Sequence, residues 1–279
     1  MRVAIVTDST ADLTAAEAAE HGISVVPLQV IFGERAYTDG VDLSAGEFYR
    51  LLASSPVPPT TSQPAAGAFR DVFERLLAAH DAVVGVFISG KLSGTFAAAA
   101  AAREMVAGDV TLVDSGTASY ALGLIALHAA AAAAGGAAPA EVCARIGRVK
   151  ERVREYILVN SLEHLRRGGR IGGAAALLGS LLQIKPVITI RDGAVDVYAK
   201  VRTEKRAAES LLARLEEDAR GCGRVEAAVI HTGAQAAAAA MAERVRAALP
   251  RADVRVRELG AVIGAHVGAG NTGLVYFAE

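Results

Sequence analysis

The sequence contains few of the residues that build crosslinked or strongly aromatic proteins. Among its 279 residues are two cysteines and no tryptophan, and aromatic residues make up 5%. Two cysteines cannot form a disulfide framework, and neither Cys143 nor Cys222 belongs to a CxxC or Cys/His spacing. We expect both to be reduced and half-buried, as is usual in intracellular proteins. The six histidines show no HxxxH pairing, so no metal site and no cofactor are predicted.

The sequence also lacks an excess of charge of one sign, and it lacks long, strongly apolar runs. The formal net charge is -1, whereas a protein that neutralises nucleic-acid phosphates normally has a basic excess. Only four apolar residues in a row precede Thr7, and a signal peptide needs about 7–15. The run at 122–134 is mostly alanine and contains His128, which favours a buried helix over a membrane span. We therefore expect a soluble, cytoplasmic protein with no nucleic-acid partner and no stable membrane insertion.

The first half of the chain alternates short β-branched runs with alanine-rich helical stretches. The predicted strands cover residues 3–7, 25–31, 83–88 and 110–113. The predicted helices cover residues 15–20, 45–53, 66–78, 95–106 and 119–133. This order of elements predicts a doubly wound, mostly parallel sheet, in which ligand-binding loops follow the carboxyl ends of the strands.

The pattern changes after a predicted helix at 139–154. Strands at 187–190 and 195–200 flank Asp192-Gly193, which is a strong hairpin signal. The remaining predicted elements are helices at 204–219 and 235–249 and strands at 226–231, 254–258 and 274–277. Because the chain is long for one core, we predict an α/β fold of two domains. A parallel-sheet α/β domain covers 1–152, and a smaller α+β mixed-sheet domain covers 153–279.

Two hydroxyl-rich segments lie next to predicted helices. Thr7-Asp8-Ser9-Thr10 either lines a ligand cleft or caps the next helix, and we favour the cap. Thr60-Thr61-Ser62-Gln63-Pro64 precedes the helix at 66–78. There Thr61 or Ser62 either satisfies free backbone N–H groups of the helix or helps to bind an anion. The residues alone leave that choice open.

The segment Ser89-Gly90-Lys91-Leu92-Ser93-Gly94-Thr95 leaves a predicted strand and opens a helix. Backbone N–H groups and the Ser93 hydroxyl can converge there on an oxyanion. The lysine precedes the last glycine, so the segment is not a GxxxxGK[ST] phosphate loop. Ser93 follows leucine and precedes glycine, which does not match the GxSxG nucleophile elbow. The pattern favours carboxylate binding over catalysis, with a simple tight turn as the alternative.

Two further glycine-rich segments each present one basic side chain. Gly168-Gly169-Arg170-Ile171-Gly172-Gly173 places Arg170 in a turn before a predicted helix at 174–182. Its guanidinium either binds a carboxylate through two hydrogen bonds or forms a structural salt bridge. The segment at 264–273 holds His266 in a predicted loop, from which the imidazole can donate to a carboxylate. The GxGxxG match within this segment has too few residues after it for the βαβ unit of a dinucleotide site.

Together these segments resemble the DegV family, the fatty-acid-binding subunits of bacterial fatty acid kinases. The matching segments recur in family order from residue 7 to residue 277. Besides those already described, they are Val113-Asp114-Ser115, 165–182, Ile184-Lys185-Pro186 and Lys200-Val201-Arg202. No single motif is decisive, but the ordered set is specific.

The resemblance implies two α/β domains with one long-chain fatty acid between them. By motif, the family's carboxylate ligands correspond to Thr61, Ser93, Arg170 and His266, with the Gly94 backbone nearby. The resemblance also implies that a separate fatty acid kinase protein phosphorylates the bound carboxyl group to an acyl-phosphate for phospholipid synthesis. This chain would then be the non-catalytic, substrate-binding subunit.

The sequence departs from the family after the histidine. Val267-Gly268-Ala269-Gly270 stands where the family usually has Thr-Gly-Pro-Gly, and Asn271-Thr272 follows. Loss of the proline predicts a looser loop next to His266, because proline fixes the backbone φ angle.

Three other functions compete with a fatty-acid carrier. An acyl hydrolase would use Ser93 as nucleophile and His266 as base, although the nucleophile elbow is missing. A small-molecule kinase or nucleotide enzyme would need an ATP loop, which the sequence lacks. A regulatory or nucleic-acid-binding protein is disfavoured by the net charge of -1.

Overall fold

Strands and helices alternate through most of the chain. The computed structural model describes residues 1–178 and 184–279. The strands are β1 (Val3–Asp8), β2 (Ile23–Val26), β3 (Gln29–Phe32), β4 (Arg35–Thr38), β5 (Thr60–Ser62), β6 (Ala82–Phe87), β7 (Asp109–Asp114), β8 (Arg154–Leu158), β9 (Lys185–Arg191), β10 (Ala194–Val201), β11 (Val225–His231), β12 (Asp253–Glu258) and β13 (Thr272–Ala278). The α-helices are α1 (Ala15–Glu20), α2 (Ala45–Ser54), α3 (Ala66–Leu77), α4 (Thr95–Arg103), α5 (Ser119–Ala134), α6 (Pro139–Arg152), α7 (Glu163–Arg167), α8 (Glu204–Asp218), α9 (Gln235–Ala248) and α10 (Ala261–Val267). Short 3-10 helices cover Ser9–Ala11 and Gly172–Leu177.

The first sheet has four parallel strands in the order β2-β1-β6-β7. Alternate residues of β1 point to opposite faces of this sheet. Val3 and Ile5 belong to a hydrophobic core with α5 and α6, whereas Ala4 and Val6 pack with α3 and α4. Helices therefore cover both faces, and the prediction of a doubly wound parallel sheet is confirmed.

The second sheet is mixed and has six strands in the order β10-β9-β8-β13-β11-β12. The pair β11 and β12 is parallel, and the other neighbouring pairs are antiparallel. One face packs on α8 and α9. Through residues such as Ile157, Ile230 and Phe277, the other face shares a core with α5 and α6. The predicted mixed sheet, including its hairpin, is confirmed, and one apolar core joins it to the first sheet.

A third sheet is small and antiparallel, with the strand order β4-β3-β5. The prediction of one strand at 25–31 is wrong, because β2 belongs to the parallel sheet and β3 to this one. Pro27 lies between them, and a proline has no N–H to continue a hydrogen-bonded ladder. Helix α10, close to the end of the chain, packs on the small sheet beside α2. The small sheet therefore joins the two halves of the chain.

The other differences concern short elements. The predicted helix at 139–154 ends at Arg152, and β8 follows it. The interpretation of Thr61 or Ser62 as a helix cap is wrong, because both lie in β5 and α3 begins without a side-chain cap. The predicted helix at 174–182 corresponds to the 3-10 helix over Gly172–Leu177, and its residues 179–182 lie outside the described part of the chain.

The division of the chain into domains at 152/153 stays a prediction. The last strand of the parallel sheet is β7 and the first strand of the mixed sheet is β8, so the change of sheet falls between Asp114 and Arg154. The alanine-rich run at 122–134 lies in α5, whose first residues are almost all buried in the shared core. Of the helices that the structure describes, none has both the length and the apolar character that crossing a membrane requires.

Candidate functional site

A largely apolar cavity lies where the three sheets meet. It encloses about 800 Å³ of space free of atoms, including the solvent at its mouth. The apolar side chains in its lining are mostly branched and aliphatic, namely Leu28, Ile88, Leu92, Ile157, Leu165, Ile188, Ile190, Val195, Val262, Ile263 and Val267. The free energy of a hydrocarbon chain falls when the chain leaves water for such surroundings.

Four of the five predicted ligand residues line this cavity together: Thr61, Ser93, Arg170 and His266. They come from β5, the loop before α4, the loop after α7 and helix α10. We call these four residues the polar clamp. Gly94, the fifth predicted residue, is not among the lining residues and is the N-cap of α4. Gln63, which the sequence analysis did not select, lines the cavity and packs against Gly94.

His266 is held inside the protein by a helix rather than a loop. The prediction of a loop is wrong, since His266 lies in the last turn of α10. Its Nε2 atom is 2.9 Å from Thr61 Oγ1. Burial, and then the positive charge of Arg170, lower the pKa of His266 to about 4, so the imidazole is neutral at neutral pH. A neutral ring offers one donor and one acceptor nitrogen, which suits a hydrogen bond to a hydroxyl.

The other ring nitrogen of His266 faces Gly168. This Nδ1 atom is buried and has no hydrogen-bond partner among the described residues. A Cβ atom on Gly168 would lie 2.3 Å from Nδ1, closer than real Cβ contacts come. The φ angle of Gly168 is -74°, so the backbone itself would accept any residue. Glycine is needed at 168 because the imidazole approaches the backbone so closely.

Arg170 connects two backbone segments through its guanidinium group. Its Nε atom donates to the carbonyl of Leu92 at 2.9 Å, and its Nη1 atom donates to the carbonyl of Gly168 at 2.6 Å. Within residues 1–178 and 184–279 no carboxylate pairs with Arg170, so a structural salt bridge does not explain it. The two carbonyls fix the guanidinium plane, and among the described residues no hydrogen-bond partner of Nη2 is found, so this atom can donate to a ligand.

The Ser93 hydroxyl is held at the start of α4. The amide groups of Leu92 and Ser93 donate to the carbonyl of Ser89 at 2.9 and 3.1 Å, which forms the predicted tight turn. Ser93 Oγ lies 2.8 Å from Thr95 Oγ1 and accepts a hydrogen bond from the Thr95 amide at 3.3 Å. The amino end of a helix favours a negative charge, so Ser93 stands where an anion is stabilised.

Ser93 and His266 do not form a catalytic dyad. The hydroxyl of Ser93 contacts Thr95, and the Nε2 atom of His266 contacts Thr61. A serine nucleophile needs a base within hydrogen-bonding reach of its hydroxyl. The geometry therefore does not favour the acyl hydrolase alternative.

Both ends of helix α10, which carries His266, are anchored by polar side chains. At the start, Asp12 Oδ1 accepts from the Gly260 amide at 2.7 Å and Asp39 Oδ1 accepts from the Ala261 amide at 3.2 Å. Burial raises the pKa of Asp39 to about 6. These contacts limit how far the imidazole can shift along the helix axis.

At the end of α10, the side chain of Asn271 restrains the loop that follows His266. Its Nδ2 atom donates to the carbonyls of Val267 and Gly268, each at 2.9 Å. Its Oδ1 atom accepts from the Asn160 amide at 2.9 Å. Asn271 is 2% exposed, so water does not compete for these bonds. The loop after His266 is held by hydrogen bonds in place of a fixed proline ring.

The segment Thr7-Asp8-Ser9-Thr10 contains a cap, but not of the next predicted helix: Asp8 caps the 3-10 helix over Ser9–Ala11, and Thr14 caps α1. Asp8 Oδ1 accepts from the amide of Thr10 at 2.9 Å, and its Oδ2 accepts from the amide of Ile88 at 2.8 Å. None of the four residues is among those that line the cavity. Asp8 therefore holds the end of β1 to the residue that follows β6.

A second polar group in the cavity was missed by the sequence analysis. Ser119, Glu155 and Thr189 line the cavity apart from the polar clamp. Glu155 is buried, accepts a hydrogen bond from Thr117 Oγ1 at 3.0 Å, and has its pKa raised by burial to about 7. The sequence around Glu155 does not predict that this side chain is buried in a cavity, because Arg154 and Glu155 continue the charged pattern of α6.

The described residues offer no arrangement for a metal ion. No group of three or more histidine, cysteine, aspartate or glutamate residues among them has the geometry to hold one. Cys143 and Cys222 are free and half-buried, as predicted. The donors in the cavity include hydroxyls, the amide of Gln63, a neutral imidazole and a guanidinium, which suit an organic anion.

An aliphatic cavity that ends in a cationic and hydroxyl-bearing clamp defines a protein that can hold an amphipathic anion. The family model described as "Uncharacterised protein, DegV family" matches residues 2–279, and the chain belongs to the DegV family. A DegV domain-containing protein of Halalkalibacterium halodurans is 40% identical over 280 residues, which cover 100% of this chain and 99% of the relative.

Solved structures agree with this assignment. The structure of a DegV family protein from Thermus thermophilus, described as showing fatty acid binding, has a TM-score of 0.94 and 37% identity, and each chain is covered fully. A structure of DegV from Bacillus subtilis, described as a fatty acid binding protein, has a TM-score of 0.93 and 36% identity, again with full coverage of both chains.

Proposed function

We propose that this chain binds one long-chain fatty acid in the cytoplasm and presents its carboxylate to a separate fatty acid kinase. The observation that carries the proposal is the joining, in one cavity, of an aliphatic lining with Thr61, Ser93, Arg170 and His266. The similar proteins from Thermus thermophilus and Bacillus subtilis, which are described as binding fatty acid, support the choice of ligand. The family resemblance supports the kinase as partner.

The free energies of the two parts of such a ligand differ. Burial of about 14 methylenes at ~0.8 kcal/mol each contributes on the order of 11 kcal/mol before the costs of association. A charge-assisted hydrogen bond contributes roughly 1.5–3 kcal/mol. The tail therefore supplies most of the affinity, and the polar clamp fixes the position of the carboxylate. This division suits a carrier, which has to present one end of its ligand.

The carboxylate would remain reachable from outside. Thr61, Arg170 and His266 also line a second, outer pocket together with Pro58, His164 and Arg167. These three clamp residues thus stand between the aliphatic cavity and the protein surface. A kinase that docks over the outer pocket could transfer the γ-phosphoryl group of ATP to a carboxylate oxygen and release ADP. The clamp would then hold the more negative acyl-phosphate.

The first test is the content of the purified protein. We expect about one fatty acid per chain in denaturing extracts analysed by mass spectrometry. Protein without any acyl chain, if it also fails to take up an added fatty acid, would contradict the binding function.

The second test separates presentation from retention of the ligand. Arg170→Ala and His266→Ala are expected to keep most of the bound acyl chain and to lower the rate of acyl-phosphate formation in the presence of a fatty acid kinase. Arg166→Ala is the matched control, because Arg166 is exposed and pairs with Glu163. Wild-type rates for both clamp variants would show that the clamp is assigned wrongly.

The third test concerns catalysis. With labelled ATP and fatty acid, we expect acyl-phosphate only when the kinase is present, because phosphoryl transfer needs a phosphate-binding loop and metal-binding carboxylates. Product without the kinase would refute the carrier role. If no acyl-phosphate formed in the presence of the kinase, the partnership would be refuted. Fatty acid binding would then still be decided by the fatty acid content of the purified protein.

A further inference from the structure

The second polar group in the cavity is centred on an unpaired acid. Glu155 lies in β8, is 5% exposed and accepts a hydrogen bond from Thr117 Oγ1 at 3.0 Å. Its backbone carbonyl accepts from Thr189 Oγ1 at 2.7 Å. In the described part of the chain, no lysine, arginine or histidine forms an ion pair with Glu155. A buried carboxyl group without a cation is costly, so its place in an apolar cavity calls for an explanation.

Glu155 and the polar clamp border different spaces next to the cavity, because Thr61, Arg170 and His266 also line the outer pocket, whereas no clamp residue lines the cleft that Glu155 borders. Along β8, Ile157 lines the same cavity two residues later, and the chain then leads into α7 and on to Arg170. Side chains two residues apart on a strand point to the same face and are separated by about 6–7 Å. We call the Glu155 side of the cavity its inner end.

A different space begins directly behind the inner end. Glu155, Thr189 and Ile190 line the aliphatic cavity, and the same three residues line a wide cleft on the other side. This cleft has about 1730 Å³ of space free of atoms, including open solvent, and is bordered by charged residues such as Lys150 and Arg191. Glu155, Thr189 and Ile190 therefore form the partition between an apolar cavity and a polar, water-accessible cleft.

We propose that Glu155, held in place by Thr117, ends the space available to the ligand's tail and so determines the length of acyl chain that the protein selects. This inference rests on the proposed function, since it concerns the far end of the same ligand. A tail that stops at the partition is buried along its whole length. A longer tail has to displace a hydrogen-bonded carboxyl group, and its last carbons enter the polar cleft, where they gain no apolar burial. Burial raises the pKa of Glu155 to about 7, so a large fraction of the carboxyl is protonated near neutral pH and tolerates an apolar neighbour.

The test compares acyl chains of different length in matched variants. Glu155→Ala removes a methylene and the carboxyl group, and frees room for about two more tail carbons, each of which strengthens binding about fourfold. We therefore expect the ratio of affinities for a chain two carbons longer over the preferred chain to rise about 4- to 15-fold. Glu155→Gln keeps the shape of the partition and an oxygen to accept from Thr117, so its length preference should equal that of the wild type.

Competition binding with saturated fatty acids of graded length gives the readout. Ile190→Ala opens the same partition without changing a polar group, and we expect it to shift the length preference in the same direction. It also provides the test if Glu155→Ala does not fold. An unchanged length preference in whichever of the two variants folds and binds fatty acids would overturn the inference and leave the carrier function intact. A wild-type protein that binds no fatty acid of any length would instead overturn the proposed function.

Discussion

Replacing Gly168 with alanine is expected to displace the imidazole of His266. The new Cβ atom would start 2.3 Å from Nδ1 and needs at least 3.0 Å, and the helix-like φ of -74° leaves no backbone strain to confuse the result. The ring has to move away from its position 2.9 Å from Thr61 Oγ1. Loss of this hydrogen bond costs about 0.5–1.5 kcal/mol. Overpacking of a filled site costs about 1–3 kcal/mol.

The free energy of unfolding of Gly168→Ala should therefore fall by about 1–3 kcal/mol in urea denaturation, because the two costs overlap at one side chain. The nitrogen NMR signals of the His266 ring should shift as its bond to Thr61 is lost. Acyl-phosphate formation with the kinase should slow, while the bound acyl chain is retained. Gly67→Ala is the matched control, since a Cβ atom at Gly67, within α3, meets nothing within 4 Å. Wild-type stability and unchanged His266 signals in Gly168→Ala would refute the assigned packing.

Three further predictions concern protonation and the end of α10. The pKa of Glu155 is raised to about 7 from 4.5, so its contribution to stability is present below pH 4.5 and is lost as the pH rises to 7. Glu155→Gln should therefore flatten the loss of unfolding free energy over that range, seen in urea titrations at several pH values; an unchanged slope would contradict the burial. The pKa of His266 is lowered to about 4 from 6.5, so its contribution is present above pH 6.5 and lost as the pH falls to 4. Its ring signals should not titrate between about pH 5.5 and 8 in the ligand-free protein, and a midpoint in that window would contradict a buried neutral ring. Asn271→Ala leaves two carbonyls at the end of α10 without their donor, so the unfolding free energy should drop by about 1–3 kcal/mol in urea denaturation. Asn160→Ala removes a single bond from an exposed side chain to the Gly270 carbonyl and should cost less; an equal or larger loss there would contradict the role of Asn271.

The sequence predicts most of the regular fold because its patterns are local. Alternating β-branched runs and alanine-rich helices mark the parallel sheet, and Asp192-Gly193 marks the hairpin between β9 and β10. The small sheet was not predicted, because β5 has three residues and shows no strand pattern of its own. Such a strand is stabilised by its pairing with β3 and by the contact of Thr61 with His266 of α10 rather than by local propensity.

The four clamp residues were predicted from their motifs, but what surrounds them was not. Glycines around His266 suggest a loop, whereas Gly264 lies inside α10 because its backbone packs against Phe48 and Tyr49. Glu155 continues a charged helical pattern in the sequence, and only the pairing of β8 with β13 and β9 turns it into the core. Contacts between segments far apart along the chain decide both features, and a sequence pattern does not contain them.

The hydrogen bond between Thr61 and His266 joins residues 205 positions apart, and Arg170 reaches Leu92 across 78 positions. During translation the chain emerges at about 5–20 residues per second, starting from its amino end. The parallel sheet and β5 are therefore complete well before α10 leaves the ribosome. Until α10 arrives, Thr61 lacks its partner and the cavity lacks the wall that Val262 and Ile263 supply. The cavity is thus completed only after nearly the whole chain has been synthesised, and a nascent chain exposes its unfinished aliphatic lining to water until that moment.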